Sequence, residues 1–568
     1  MMMKKDEAEK WKERIEAGKK YRKLHGLESV WADLEARFYS CTKESGTGPN
    51  ILFSKGDVII SALSTPQIRV MVEALNNESL EWSPIVEAFD NALMEALDVS
   101  SVIETALTYA YLWGVGFIKI GFDSEYGFDP QRAFMGATLT QFSKKGELIE
   151  SGIALPGFPW VKAVLPHDVV VPWGTRELRD AEWIAHRIVR RVEDVKADPK
   201  YSGVRDLKGS ISLSDLMKAR EQSTQEGGIK PQSDEDKEKD YVELWEIQDK
   251  RSRRVIVLVD GDDGPRIIRN VENALQLENQ LPWVEISLNP RSRSLWTTPP
   301  AFFIWAHQRE LDDIHDQAKK QRRASVMALA VRGDAFDEST LQELKSGKPG
   351  AILLAKSSVD SMDDIVKVIG QNINVNTLLH MEEGVIHQNA REALGISRNL
   401  AGEYSGRSRV TARETFMVSQ GAELRLGLKQ MRLRRALLDM VRKLNAIVGA
   451  YMELPFAVRI LGSDRAPQWK ELRREMLLQG RYGFRIAFST EYYETPESRL
   501  QKVIGLYQVL MNDPRVDQEA ALDLLLHVIG ETGIRRIQRA PLRVPMQEVP
   551  GEGGAPEEGG GATPPSEV

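Results

Sequence analysis

The side chains best placed for chemistry in this sequence lie in the loop Ser397–Arg409. Guanidinium groups bind phosphate or carboxylate oxygens, and contacts to phosphate carry no sequence information. The glycines of the loop, Gly402 and Gly406, leave its backbone free to follow a ligand. The pattern favours an anionic partner, touched by Arg398, Asn399, Tyr404, Arg407 and Arg409. The alternative is that these arginines pair with carboxylates, such as Glu403 or acids of another copy of the chain.

Motifs for catalysis and for metal binding are missing from the sequence. No segment fits the phosphate-binding loop G-x-x-x-x-G-K-[ST], and the nearest approach, 402–408, is one residue short and lacks the lysine. His380 and His387 have no H-E-x-x-H pattern, so surface or interface histidines are the simpler explanation. We therefore predict no catalytic residue, no cofactor and no metal, and expect that the chain is not an enzyme.

Acidic residues begin one predicted helix and basic residues end it. Acids at 310, 312, 313 and 316 precede Lys319, Lys320, Arg322 and Arg323. This gradient suits the helix dipole, and we prefer that structural explanation to a divalent-cation site.

The composition is that of an ordinary soluble protein with several structural regions. The chain has 568 residues, 42% of them hydrophobic, and a formal net charge of -7. A net negative charge argues against a protein that coats nucleic acid with its whole surface. Any contact with nucleic acid would then be made by a local basic patch. Cys41 is the single cysteine, which excludes an internal disulfide and suits a reducing cytoplasm. No apolar run is long enough for a signal peptide or a membrane span.

One very long helix dominates the second half of the chain. Thr411 and Glu414 form a capping box, and no proline interrupts the run to Tyr451, which would be roughly 60 Å long. An apolar stripe on this helix is predicted to be buried: Leu424, Leu428, Met431, Leu438, Val441, Leu444, Val448 and Tyr451. A basic stripe runs beside it and is explained by a solvated face, by acids of a neighbouring subunit or by nucleic acid: Arg425, Lys429, Arg432, Arg435 and Arg442.

The elements ahead of this helix alternate between helix and strand. A helix beginning at Thr298-Pro299 is followed by strand 325–331, helix 338–345, strand 351–355 and a helix over 375–394. Earlier, we predict helices at 4–24, 27–38 and a pair over 84–113, and strands at 67–72, 115–122, 160–165, 169–173, 181–188, 242–247, 254–259 and 283–286. Later, we predict strands 456–461 and 483–488, a helix 468–478, and a helix pair over 495–529. The fold class is α+β, with a polar excursion at 218–240 and a disordered tail.

Four stretches give the chain a resemblance to the portal proteins of tailed bacteriophages. They are Tyr109–Gly121, the pair Leu165–Trp173 and Asp180–Arg187, Val242–Asp249, and Gly395–Arg398 followed by Thr411–Thr415. Their order ahead of helix, small insert, helix, loop and long helix is more specific than any one of them. The chain departs from the family in the excursion 218–240 and in its Pro/Gly/Glu tail.

The resemblance implies a division of the chain into named regions. These are 1–297 for N-terminal helices and a mixed α/β wing, 298–324 for stem helix 1, 325–364 for the α/β clip, 365–395 for stem helix 2, 396–410 for the tunnel loop, 411–494 for the long wing helix and closing strands, 495–540 for the crown helices, and 541–568 for the tail. The stem residues expected to line a channel are Glu310, Asp313, Lys320, Arg323, Glu383 and Arg391.

The resemblance also implies a function and partners. A portal is a ring, usually of twelve copies, at one capsid vertex, and double-stranded DNA is packaged and ejected through it. Its partners would be further copies of itself, the DNA, a terminase packaging motor, the major capsid protein and scaffold, and head-tail adaptor proteins. The place of action would be the virion, after assembly in the host cytoplasm. The alternatives are an ATP-driven packaging enzyme, disfavoured by the missing phosphate loop, and a capsid or adaptor protein without a channel.

Overall fold

The chain contains eleven α-helices in the residues that the structure describes. A computed structural model describes residues 2–40, 48–64, 67–122, 139–142, 148–151, 159–211, 240–261, 264–276, 280–324, 328–331, 366–369, 375–396, 412–452, 455–461 and 467–489. The helices are α1 Met2–His25, α2 Glu28–Phe38, α3 Ile51–Ser64, α4 Ser83–Ala96, α5 Val99–Trp113, α6 Val192–Ala197, α7 Pro300–Phe303, α8 Trp305–Ala324, α9 Val375–Leu394, α10 Ala412–Tyr451 and α11 Arg474–Gln479. All of these lie in one compact unit, Met1–Ser489.

The strands lie between these helices, which confirms the α+β class. They are β1 Gln67–Ala74, β2 Val115–Phe122, β3 Leu139–Phe142, β4 Leu148–Ser151, β5 Pro159–Val164, β6 Val169–Val170, β7 Trp183–Arg191, β8 Tyr241–Asp249, β9 Arg254–Gly261, β10 Gly264–Glu272, β11 Trp283–Ser287, β12 Ala328–Val331, β13 Val366–Ile369, β14 Phe456–Leu461, β15 Pro467–Leu472 and β16 Tyr482–Ser489. In the described residues they form five sheets, with the orders β1-β16, β10-β9-β8-β7-β6, β11-β2-β5, β12-β13 and β15-β14-β3-β4. All of the pairings are antiparallel.

The predicted helix, glycine turn and strand over 99–122 is confirmed. Gly114 ends α5 with φ +91°, a left-handed conformation that favours glycine. Every residue of β2 is buried, as befits the central strand of its sheet. Gly116 lies so close to the carbonyl oxygen of Ala106 that a Cβ has no room there. The Gly-Val-Gly-Phe stretch therefore lets α5 pack closely on its own following strand.

Aromatic rings fill the main core where the N-terminal helices meet the sheets. The ring of His167 stands edge-on to Trp31 at 4.8 Å and to Trp113 at 5.0 Å. Trp296 lies 6.2 Å from Trp31 and 5.7 Å from Phe117. Edge-to-face packing adds to the free energy gained by burying such large rings. This core ties α2, α5 and β2 to the segment that leads into α8.

Several predicted elements differ from the structure. The helix predicted over 468–478 is wrong, because Pro467–Leu472 is a strand paired with β14 and only Arg474–Gln479 is helical. The strand predicted over 169–173 ends at Val170, ahead of Pro172. The helix predicted from Thr298 begins at Pro300 and is interrupted at Ile304. Strands β3, β4, β10 and β13 and helices α3 and α6 were not predicted.

The region 365–395 assigned to stem helix 2 also needs correction. It contains a strand, Val366–Ile369, which pairs with Ala328–Val331. The helix itself, Val375–Leu394, has the predicted bounds. The predicted insert helix 338–345, strand 351–355, the cap Thr411, the helices over 495–529 and the tail 541–568 lie outside the described residues, as does the excursion except for Asp240.

The apolar stripe of the long helix is buried over only part of its length. Val441, Leu444 and Val448 are buried as predicted. Leu428 and Met431 are instead 52% and 48% exposed. Leu428 and Met431, in the middle of the helix, are therefore apolar side chains that the described part of the chain does not cover; the side chain of Leu424 lies outside the described residues.

A buried carboxyl group joins this helix to α4. Asp90 on α4 is 2% exposed, and Nδ2 of Asn445 on α10 donates a hydrogen bond of 3.1 Å to its Oδ2. Burial raises the pKa of Asp90 to about 8; the Asn445 hydrogen bond lowers it in part and the Glu87 carboxylate raises it. The folded chain thus holds a proton that the unfolded chain releases near the ordinary carboxyl pKa of about 3.9. The stability linked to this proton is fully present below that pH and is lost as the pH rises to 8.

Asp90→Asn should raise Tm at alkaline pH. The amide keeps the hydrogen bond and removes a charge that would otherwise form in the core, which we expect to be worth about 1–3 kcal/mol at about pH 9. The gain should shrink as the pH falls toward 4. Thermal unfolding followed by circular dichroism across this range measures it, with the exposed Asp33→Asn as the control. Parallel pH profiles for Asp90→Asn and the parent would contradict the assignment.

Candidate functional site

The helices α8 and α9 pack side by side and run in opposite directions. His315 of α8 faces Glu383 and His387 of α9, and β12 and β13, which lie next along the chain, pair antiparallel. Nε2 of His315 lies 3.8 Å and Nε2 of His387 3.9 Å from the same oxygen, Oε1 of Glu383. Each helix has 20 residues. The pair is a helical hairpin, and the two short strands β12 and β13 lie between its helices in the chain.

The base of α8 is anchored to the N-terminal helices by a network of hydrogen bonds. Asp312 accepts bonds from Nη2 of Arg37 at 2.8 Å and from the amide of Gly48 at 3.1 Å. Oε1 of Gln308 accepts from the amides of Ile51 at 2.8 Å and Leu52 at 3.3 Å, so it caps the start of α3. Asp312 thus has a partner of its own, beyond the helix dipole that the sequence suggested.

The predicted channel-lining residues differ in their exposure. Glu310, Asp313 and Lys320 are exposed on α8. Glu383 is half-buried between the two helices and faces the two histidines. Arg391 is buried, at 8% exposure. Arg323 lies in the last turn of α8, and its side chain is outside the described residues.

The predicted tunnel-loop residues lie outside the described residues: Arg398, Asn399, Tyr404, Arg407 and Arg409. The two ends of this loop are described. Gly395 ends α9 with φ +71°, and the buried Ile396 follows it. Helix α10 begins again at Ala412 and continues for 40 residues.

The basic stripe of α10 serves two different roles. Arg432 donates to the carbonyl oxygen of Leu288, at the end of β11. Lys443, a cation that the sequence analysis did not single out, donates to the carbonyl oxygen of Trp283 at 2.6 Å and to Asp439 at 2.6 Å. These two contacts dock the helix along the edge of β11. Arg435 and Arg442 are exposed.

Strand β11 also carries an acid, Glu285, whose pKa is raised. Burial raises the pKa of Glu285 on β11 to about 7, although the amide of Leu178 donates a bond of 2.9 Å to its carboxylate and Lys443 lies nearby. Through this bond Glu285 joins β11 to the turn at Leu178–Asp180.

In the described part of the chain, no group of three or more His, Cys, Asp and Glu side chains is arranged to hold a metal ion. No described helix combines the length and the apolar character needed to cross a membrane.

Asp312→Ala should destabilise the base of the helix pair. It leaves the Arg37 guanidinium, 8% exposed, without its carboxylate, and the loss of charge-assisted hydrogen bonds should cost about 2–3 kcal/mol. The adjacent, exposed Asp313→Ala is the matched control and should change stability by less than about 0.5 kcal/mol. Tm and amide exchange at Gly48, Ile51 and Leu52 report the effect. Equal behaviour of the two variants would show that the network does not anchor α8.

No protein-family model and no curated protein matches the chain. The solved structures that it matches include a chain of the neck of a native GTA particle computed with C12 symmetry. The two chains are 8% identical, the TM-score is 0.38, and the match covers 88% of this chain and 93% of that one. A likeness of this size does not indicate a function.

Proposed function

We propose that this chain is a portal protein, the subunit of a ring through which double-stranded DNA enters and leaves a phage capsid. The observation that carries the proposal is the helical hairpin α8–α9, anchored at its base and followed by the 40-residue helix α10. A conduit needs stiff walls, a fixed base and an exposed insert at the far end. The mixed sheets before the hairpin correspond to the wing, and the residues between the two helices correspond to the clip.

Exposed apolar side chains support assembly into a ring. Leu428 and Met431 stand next to Gly427, around which there is open space, and Val385 on α9 is 58% exposed. Apolar side chains on the outside of two successive helices gain free energy when a second copy covers them. A head-to-tail contact between identical chains closes into a ring when its rotation permits.

The charges on the described stem suit a channel that releases its cargo. Glu310 and Asp313 are exposed on α8, as Lys320 is, so the described surface of this helix is not dominated by positive charge. Each phosphate that a protein neutralises adds salt-dependent affinity, which would hold DNA in place. In this proposal, DNA is touched transiently by Arg398, Arg407 and Arg409 of the tunnel loop, with Asn399 and Tyr404 beside them.

The proposal also assigns partners. The insert docks an ATP-driven terminase motor, because the sequence has no phosphate-binding loop of its own. Head-tail adaptors, the major capsid protein and scaffold would contact the ring from outside, in the virion. The chain itself would have no ATPase activity.

The purified chain should form closed rings with a central hole. Mass photometry and negative-stain imaging test this, and Leu428→Asp with Met431→Asp should lower the ring fraction at least tenfold, because two charges would replace apolar contacts. Leu478→Asp, at a residue of similar exposure, is the control. A monodisperse monomer at assembly concentrations would count against a portal, and rapid ATP turnover by the chain alone would favour a packaging enzyme.

Replacing Arg398, Arg407 and Arg409 together by Ala should leave ring formation unchanged and reduce packaged or retained DNA. The three guanidiniums are the proposed phosphate contacts, whereas the apolar interface lies elsewhere. DNA content of purified particles is the measurement. Particles that package and retain a full genome as the parent does would rule out a DNA-contacting role for this loop.

A further inference from the structure

A second basic surface surrounds the ring of Tyr21 at the end of α1. The Tyr21 hydroxyl donates to the carbonyl oxygen of Thr175 at 2.8 Å and contacts Oγ of Ser294 at 3.0 Å. Its ring lies 5.3 Å from Trp173 and 5.0 Å from His25. Three distant segments therefore meet at one place. We call their outward side chains the Trp173 patch: Leu24, His25, Trp173, Arg176, Arg291 and Arg293.

A tight turn presents Trp173 to solvent. The amide of Thr175 contacts the carbonyl oxygen of Pro172 at 3.4 Å, its hydroxyl donates to the same oxygen at 2.8 Å, and Gly174 has φ +82°. This is the geometry of a type II turn with the tryptophan at its first central position. Trp173 is 58% exposed although the inner side of its ring contacts Tyr21. The indole is thus held in place with its outer side free.

The charge of the patch comes from three arginines. Arg176, Arg291 and Arg293 are all exposed, and Arg291 donates to the backbone carbonyl of His25 at 3.1 Å. Among the described residues, neither Arg176 nor Arg293 makes an ion pair. The acids closest in sequence have partners of their own: Glu28 is bound by Arg22 at 2.9 Å and Glu177 by Arg179 at 2.5 Å.

A purely structural explanation covers only part of this surface. His25 lies in the last turn of α1, where the helix dipole favours positive charge. Arg176 and Arg293 lie in loops and gain nothing from that dipole. An exposed tryptophan at the apex of a fixed turn likewise adds little to the stability of its own chain.

We infer that the Trp173 patch binds single-stranded nucleic acid, with an unpaired base stacked on Trp173 and backbone phosphates bound by Arg176, Arg291 and Arg293. Stacking platforms flanked by cations are how proteins hold single strands without reading sequence. A protein partner is disfavoured, because only Trp173 and Leu24 offer large exposed apolar area here, and a stable protein interface has an apolar core within about 800 Å² per partner. None of these residues belongs to the proposed tunnel loop, 396–410.

The test is fluorescence anisotropy of a labelled oligo-dT of about 15 nucleotides with the full-length chain. Trp173→Ala should weaken binding roughly 5- to 150-fold, the range expected for one lost base–aromatic stack. Trp173→Phe should retain most of the affinity, since it keeps a ring. Trp469→Ala is the matched control, because Trp469 is also exposed, at 48%, and lies on β15. Binding should be unchanged in that control.

The arginines are tested through salt dependence. Arg176→Ala and Arg293→Ala should each reduce the slope of log affinity against log salt by about 0.7, the value for one phosphate on a single strand. Arg474→Ala, an exposed arginine on α11, should leave the slope unchanged. Neither Arg176 nor Arg293 makes a described ion pair, so these variants test the site even if Trp173→Ala lowers Tm.

Two further experiments distinguish binding at the Trp173 patch from binding at the tunnel loop and from non-specific attraction of any anion. The titrations are repeated in the Arg398, Arg407 and Arg409 triple-Ala background, where the proposed tunnel contacts are absent and the dependence on Trp173 should persist. A poly-glutamate peptide of equal charge is the second probe and should bind at least tenfold more weakly. The inference is overturned if Trp173→Ala and both arginine variants bind oligo-dT as the parent does, if binding disappears in the triple-Ala background, or if the peptide binds as well as the oligonucleotide.

Discussion

A buried ion pair between two sheets fixes the geometry on which the other elements depend. Nζ of Lys119 on β2 lies 2.5 Å from Oε2 of Glu246 on β8, and their side chains are 4% and 1% exposed. Gln248 donates to the other carboxylate oxygen at 2.8 Å and accepts from Nε1 of Trp283 at 3.1 Å. Such a pair offsets its desolvation only when its hydrogen bonds are complete, and losing one partner costs about 3–5 kcal/mol. The ion pair therefore fixes how the sheet that contains β2 packs against the sheet that contains β8.

The same network sets the direction of the long helix. Trp283, which donates to Gln248, also offers its carbonyl oxygen to Lys443 of α10, and Leu288 beyond the end of β11 binds Arg432. Burial lowers the pKa of His186 well below its ordinary value, and the positive charge of Lys119 lowers it further, so the imidazole beside the pair stays neutral. A second positive charge there would weaken the ion pair. The core of the sheets thus determines where α10 lies.

Long periodic elements were predictable, whereas the contacts between them were not. The bounds of α9 match the prediction, because a single apolar face and clear end signals define it. The segment 468–478 reads as a helix from its Leu, Glu and Arg content, but pairing with β14 outweighs that local preference. The pairs Lys119–Glu246 and Arg37–Asp312 join residues 127 and 275 positions apart. No local pattern marks them.

The two proposed anion-binding surfaces differ in how visible they are in the sequence. The tunnel loop concentrates its arginines within 13 residues, so composition alone singles it out. The Trp173 patch draws Leu24, Trp173 and Arg293 from segments more than 100 residues apart, and it emerges only when Tyr21 brings them together. Their chemistry differs as well. A base can stack on Trp173 only when it is unpaired, whereas duplex DNA in a channel offers phosphates alone. The two surfaces therefore need not compete for the same DNA.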